Sequence, residues 1–227
     1  MTMLITGACD EGRIHEDESL IHDEGRVARV IAGIKGTDTW TDGYTLAIAG
    51  FEEGNEFAIV SKNIISSAIS DRCDIILSGI PQEVSTVEIC ALDRLRRRVA
   101  TFLSVNTGAS RDTLTIDVPE VNLSMADAIQ KEIFNTTCAQ CHGGSAYAAA
   151  GLNLTEGRSF GEMIGVESYK QPGMERVMPG NSKESVLYLI LGENMSSTWR
   201  YDHSVEVIRQ EKLDLIRNWI DGGANPN

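Results

Sequence analysis

The sequence is short of positive charge, of aromatic residues and of long apolar runs. Its 227 residues contain 20 lysines and arginines against 33 aspartates and glutamates, which leaves a formal net charge of −13. A nucleic-acid-binding surface needs clustered basic side chains, so this balance argues against a nucleic-acid partner. The one dense basic run, RLRRR at 94–98, lies between strand-like segments and is typical of a solvated loop or edge strand.

No segment approaches the roughly 20 apolar residues that a membrane-spanning helix needs. The short apolar stretch at 1–9 ends in small residues and Cys9, which is similar to the end of a bacterial lipoprotein signal. No lysine or arginine precedes Cys9, so the fit is incomplete, and a plain N-terminal segment with a stray cysteine is the alternative. Cys9 is therefore a candidate lipidation site, and a lipid anchor would be the only membrane attachment.

Three regions follow from the pattern along the chain. Residues 1–25 are the signal-like stretch and an acidic tether with few apolar residues. Residues 26–118 contain short runs rich in valine, isoleucine and leucine, separated by glycine, asparagine and aspartate, which predict an antiparallel, immunoglobulin-like β-sandwich. The runs are RVARVIAGI, YTLAIAGF, FAIV, CDIILSGI, STVEICAL and RVATFLSV.

Two of the five cysteines flank strands of this predicted sandwich. Cys73 begins one run and Cys90 ends another, so a disulfide between them would be feasible in an oxidising compartment. Sequence alone does not establish the pairing. Reduced, buried thiols that pack as small apolar side chains are the alternative.

After the PEVN stretch at 119–122 the periodicity changes from strand-like to helical. Ser124 precedes an apolar helix in the manner of a capping box, Asn181 precedes a second, and a third is expected over about 209–221. The sequence thus predicts a multidomain chain in which an all-β sandwich is followed by an all-α domain at 119–227.

The helical region contains FNTTCAQCHGG, in which His142 directly follows the second of two cysteines spaced C-x-x-C. This spacing lets Cys138 and Cys141 add to the two vinyl groups of one porphyrin while the histidine reaches the iron, and C-x-x-C-H is a specific signature of c-type haem attachment. A zinc site would need a second ligand pair, and a redox dithiol would follow a strand in a βαβ unit. We therefore expect one covalently bound haem c.

Residues 124–225 resemble the class I-like monohaem cytochromes c, especially a subgroup found in planctomycetes and Bacteroidetes. The resemblance covers under half of the chain and consists of CAQCHGG, AGLNL, PGNSKES before an apolar helix, a methionine, and LIRNWIDGGA, in that order. It implies Met195 as the distal iron ligand opposite His142. The subgroup usually has proline after this methionine, whereas serine follows Met195 here, and His203 is the leading substitute ligand.

Histidine–methionine ligation suits outer-sphere electron transfer, so the expected function is that of an extracytoplasmic electron carrier, periplasmic or at the cell surface, and not an enzyme. Its partners would be redox proteins, and its acidic charge favours a partner with a basic rim. One alternative is a haem enzyme or sensor with a labile sixth ligand that admits peroxide or a diatomic gas. Another is a surface-binding β-module joined to a redox domain.

Overall fold

The computed structural model describes residues 25–65, 72–108, 112–144, 148–192, 199–207 and 209–227. Within these ranges seven β-strands precede the helices. They are β1 Arg26–Lys35, β2 Thr45–Phe51, β3 Val60–Asn63, β4 Cys73–Ile80, β5 Thr86–Leu92, β6 Arg98–Asn106 and β7 Leu114–Asn122. One sheet has the strand order β4-β1-β7 and the other β3-β2-β5-β6.

Both faces of the four-stranded sheet are covered, which explains why its central strands are almost continuously apolar. Leu46 and Ile48 of β2 belong to the main buried cluster, which includes side chains from both sheets. The intervening Ala47 and Ala49 belong to a second, smaller cluster on the opposite face. Successive side chains of a strand point to opposite faces, so a strand buried on both sides cannot alternate apolar with polar residues.

Strands β1 and β7 pair in parallel, whereas the other strand pairs are antiparallel. The register shifts between Ala32, which pairs with Val118, and Gly33, which pairs with Glu120. Pro119 is therefore the extra residue of a bulge on an edge strand, where a proline removes no ladder hydrogen bond. For this reason β7 continues through the PEVN stretch that the sequence pattern indicated as the start of the helical region.

The prediction of an all-α C-terminal domain is wrong. After β7 the described chain has five short α-helices joined by 3₁₀ turns, irregular segments and one π-helical stretch, and the structure as a whole is dominated by the two sheets. The helices are α1 Met125–Ile129, α2 Ala139–His142, α3 Ser159–Met163, α4 Val186–Gly192 and α5 Gln210–Asp221, and the π-helical stretch is Gln130–Cys138. Among the described residues there is no helix with the length and apolarity needed to cross a membrane.

The helices are short because glycine recurs closely between His142 and α4, and each glycine in a helix interior costs about 1 kcal/mol relative to alanine. The exception is the stretch formed by α1, the π-helical turns and α2, which is continuous over 125–142. Its N-terminus is capped as the sequence predicted, since the Ser124 hydroxyl accepts a hydrogen bond from the Asp127 amide at 3.1 Å.

The helices share one buried cluster with the strands. Fully buried Met125, Ile129 and Phe134 belong to the same cluster as Val30 and Ile89 of the two sheets. The helical half therefore has no separate core of its own among the described residues, and its packing against the sheets fixes where the 125–142 stretch lies.

Polar contacts connect the same two halves. The Trp40 indole donates to the Leu123 carbonyl at 2.5 Å, and the Asn218 amide of α5 donates to the Tyr44 hydroxyl at 2.9 Å. At the N-terminal end of α5, Arg209 forms an ion pair with Glu56 at 2.7 Å. These contacts fasten both ends of the helical half to loops of the sandwich.

Replacing Phe134 with alanine tests the shared core. Because Phe134 is 0% exposed, we expect Phe134→Ala to lower the free energy of unfolding by about 3–5 kcal/mol, through lost burial and the cavity left behind. Denaturant unfolding followed by circular dichroism and tryptophan fluorescence measures the change. Tyr169→Ala is the control, because Tyr169 is 82% exposed and its removal should change little. Unfolding of the strands that is unaffected by Phe134→Ala would contradict a shared core.

Candidate functional site

The C-x-x-C-H residues lie at the C-terminal end of the 125–142 helical stretch. Cys138 is the last residue of the π-helical stretch, and Cys141 and His142 lie in α2. The chain leaves the helix at Gly143, where an added Cβ would lie 2.4 Å from the Ala139 carbonyl oxygen. Only glycine fits this exit, which turns the chain away directly after the histidine.

The π-helical stretch is an unusual lead into the motif. Helices of this type are rare and are frequently found at functional sites. Here the Glu132 carbonyl accepts hydrogen bonds from the Thr136 hydroxyl at 2.8 Å and from the Lys212 ammonium group at 2.7 Å. The wider turn is thereby held in place by α5.

His142 is held by the 3₁₀ turn that follows the motif. Its ring Nδ1 lies 3.0 Å from the Ala149 carbonyl oxygen, and its own carbonyl accepts the Leu154 amide at 2.7 Å. A carbonyl partner requires the proton on Nδ1, which leaves Nε2 as the free lone pair. Metal-binding histidines are oriented in this way, by a hydrogen bond from the ring nitrogen that does not bind the metal.

The two thiols of the motif are free and differ in their surroundings. Cys141 is exposed, whereas Cys138 is partly covered. Burial, and next the nearby Glu206 carboxylate, raise the pKa of the Cys138 thiol to about 11. At neutral pH Cys138 is therefore protonated, which is the opposite of the lowered pKa that activates the attacking thiol of a redox C-x-x-C pair.

A second segment, 199–207, lies against the motif. The His203 ring centroid is 6.3 Å from that of His142, and the two ring planes differ by 28°. The Trp199 and Tyr201 rings lie nearly perpendicular to the His203 ring, at centroid distances of 6.0 and 5.2 Å. The segment thus brings a second imidazole and two aromatic rings to the end of α2.

Local hydrogen bonds shape this segment. Asp202 caps the 3₁₀ turn His203–Val205 by accepting the Ser204 amide at 3.0 Å, and the Tyr201 hydroxyl donates to the Glu206 carboxylate. Burial, and next the neighbouring His142, lower the pKa of His203. In the described part of the chain, His203 Nδ1 is buried without a hydrogen-bond partner.

The opposite side of the helical stretch is anchored to residues 152–160. The Gln130 amide donates to the Leu154 carbonyl at 3.1 Å, and Gln130 also accepts the Ser159 hydroxyl. Behind the motif, the Phe160 ring contacts both Phe134 and Trp219, with centroids 5.8 and 5.3 Å away. Buried Leu154 therefore connects the AGLNL motif to His142 through its amide and to Gln130 through its carbonyl.

Four residues that the sequence indicated lie together in the structure: Cys138, Cys141 and His142 of the motif, and His203, the substitute ligand, beside His142. Met195, the predicted distal ligand, and Cys9, the candidate lipidation site, lie outside the described residues. Sequence reasoning missed Glu206 and the Ala149 carbonyl as neighbours of the motif. The sequence pattern contains no signal for either neighbour, because both contacts depend on the path of the chain after the motif.

The other two described cysteines, Cys73 and Cys90, are the pair suggested for a disulfide. Cys73 lies on β4 and Cys90 on β5, in different sheets, and both thiols are free and buried. Cys73 belongs to the main buried cluster, where its thiol donates to the Ala32 carbonyl at 3.2 Å, and Cys90 belongs to the second cluster. Burial strongly raises the pKa of the Cys90 thiol. Both act as small apolar residues in the sandwich.

The described residues contain no group of three or more histidine, cysteine, aspartate or glutamate side chains placed to bind a metal ion. Comparisons with known proteins find no match among family models, curated proteins or solved structures. Any reading of the site therefore depends on its own residues and on the sequence motifs.

The difference between the two thiols of the motif predicts unequal reactivity. In the chain with free thiols, iodoacetamide at pH 8 should modify Cys141 roughly tenfold or more faster than Cys138, because alkylation needs an accessible thiolate and Cys138 keeps its proton. Peptide mass spectrometry over a time course measures both rates. Under denaturing conditions the two rates should converge, and equal rates in the folded chain would contradict the described burial.

Proposed function

We propose that this chain binds one haem c covalently through Cys138 and Cys141, with His142 as an axial iron ligand, and acts as an extracytoplasmic electron carrier. The observation that supports the proposal most strongly is the orientation of the His142 ring. Its Nδ1 is occupied by the Ala149 carbonyl at 3.0 Å, so Nε2 is presented as a ligand next to two free thiols on the same helix end.

The residues fit the group by their chemistry. Cys138 and Cys141 lie about one helical turn apart, so both sulfurs can reach the same edge of one porphyrin. Each thiol would add its S–H across one vinyl double bond, which would form a thioether without an oxidant. A haem iron would need only one or two side chains of the protein, so it would not require the three-residue cluster that a zinc site needs.

The competing readings of C-x-x-C have less support. A catalytic dithiol requires a thiolate at neutral pH, whereas burial and Glu206 raise the pKa of Cys138 to about 11. A structural zinc site requires four converging ligands, and the described residues offer no group of even three. Haem attachment meets neither difficulty. A thioether can form from a protonated thiol, and the iron needs a single imidazole of the motif.

Haem iron supplies a one-electron couple, and the protein residues hold, orient and shield it. His142 would hold the iron, and the Phe134–Phe160–Trp219 contacts keep the helical stretch rigid behind the motif. A rigid site undergoes little rearrangement between oxidation states. The net charge of −13 favours redox partners with a basic rim and disfavours nucleic acid.

The test is covalent haem content of the full chain, produced in a host that matures c-type cytochromes. Wild type should retain haem on a denaturing gel and undergo reversible one-electron reduction. Cys138→Ala/Cys141→Ala should lose all covalent haem, because no thioether can form. Cys73→Ala is the matched control, since it removes a buried thiol outside the motif and should keep full haem content.

Two results would count against the proposal. Wild-type chain without covalent haem would remove the cofactor assignment altogether. Covalent haem that is high-spin at rest and binds carbon monoxide or peroxide rapidly would favour the haem enzyme or sensor over the carrier, since a carrier keeps both axial positions occupied.

A further inference from the structure

We propose that His203 is the second axial ligand of the iron, so that the site is a bis-histidine haem c rather than the histidine–methionine site expected from Met195. This inference rests on the proposed covalent haem. It concerns only which residue of the chain binds the iron on the face opposite His142.

The spacing of the two imidazoles carries the inference. A ring nitrogen binds a metal at about 2 Å and the ring centre lies about 1 Å behind it, so two imidazoles on opposite sides of one metal have centroids roughly 6 Å apart. The His142 and His203 centroids are 6.3 Å apart. Rings stacked directly face to face would lie roughly 4 Å apart, so a distance of 6.3 Å matches an intervening metal and, among stacked arrangements, only an offset one.

The relative orientation of the rings agrees with the spacing. Two imidazoles bound on opposite faces of one iron each contain the nitrogen–iron–nitrogen axis in the ring plane and can take any angle about that axis, so near-parallel planes are compatible with this ligation. The planes of His142 and His203 differ by only 28°. His203 also has a ring nitrogen, Nδ1, that is buried without a partner in the described chain. A buried polar atom without a partner is costly unless the site normally contains more than the protein atoms.

The surroundings of His203 hold the ring in position. The Trp199 and Tyr201 rings lie beside it at interplanar angles of 83°, so they form aromatic walls next to the imidazole. Asp202 fixes the backbone of the turn by accepting the Ser204 amide and hydroxyl at 3.0 and 2.6 Å. An imidazole on a capped turn between two aromatic walls is arranged as a ligand is, whereas a solvated surface histidine needs none of these contacts.

The consequence is a lower reduction potential. Methionine ligation raises the potential of a c-type haem because the thioether donates weakly to ferric iron, and a second imidazole stabilises the ferric state. The carrier would then accept electrons from strong reductants and pass them to acceptors of low potential. Its place in an electron-transfer sequence is therefore on the low-potential side of histidine–methionine carriers.

The test uses the haem-matured full chain and four proteins: wild type, His203→Gly, Met195→Leu and His22→Gly as the matched histidine control. Wild type should be low-spin and lack the near-infrared absorption of methionine–iron(III) ligation. His203→Gly should become high-spin, and added imidazole should restore the low-spin spectrum. A merely structural role for His203 would not be rescued by a free ligand. Met195→Leu and His22→Gly should keep the wild-type spectrum.

The opposite pattern would overturn the inference. A methionine–iron band in wild type that disappears in Met195→Leu, or a His203→Gly protein that stays low-spin, assigns the position to another residue. In either case covalent haem on a denaturing gel is retained, so the proposed function survives. Loss of covalent haem from wild type itself removes the proposed function, and the axial assignment falls with it.

Discussion

The packing of one helical stretch against the sheets is the constraint on which the site depends. Met125, Ile129, Ile133 and Phe134 are fully buried in a cluster that also contains strand residues. Each fully buried side chain of this size contributes about 1.5–3 kcal/mol, so together they fix the stretch firmly. Its far end carries Cys138, Cys141 and His142, whose positions are therefore set by the core rather than by the loops around them.

The rest of the site is built by segments that return to this fixed helix end. The turn at 149–151 supplies the carbonyl that orients His142, and the segment 199–207 supplies the second imidazole. Lys212 of α5 caps the Glu132 carbonyl in the π-helical stretch. A proposed bis-histidine iron would join the two segments directly. Ligation of His203 should then stabilise this half of the molecule, because the thioether-bound haem stays on the unfolded chain whereas the bond from His203 to the iron would form only in the folded state.

The sequence predicted local features well and their arrangement poorly. Strands β1, β2, β4, β5 and β6 coincide with apolar runs punctuated by turn residues, and the helix cap at Ser124 was evident from its spacing. Strand β7 was missed because Pro119 signals a break, while an edge-strand bulge tolerates it. The all-α second domain was wrong because helical periodicity identifies an apolar face without identifying its partner, which here includes strands. Likewise the motif at Cys138–His142 is local and can be recognised in the sequence, whereas the contact of His203 with His142 depends on the tertiary structure.

Iron-edge X-ray absorption spectroscopy of the haem-matured protein is the decisive measurement, because it reports the atoms bound to iron. We expect a six-coordinate iron with only nitrogen neighbours, from the porphyrin and from His142 and His203. A sulfur neighbour, a five-coordinate iron, or protein that contains no iron after maturation would contradict it.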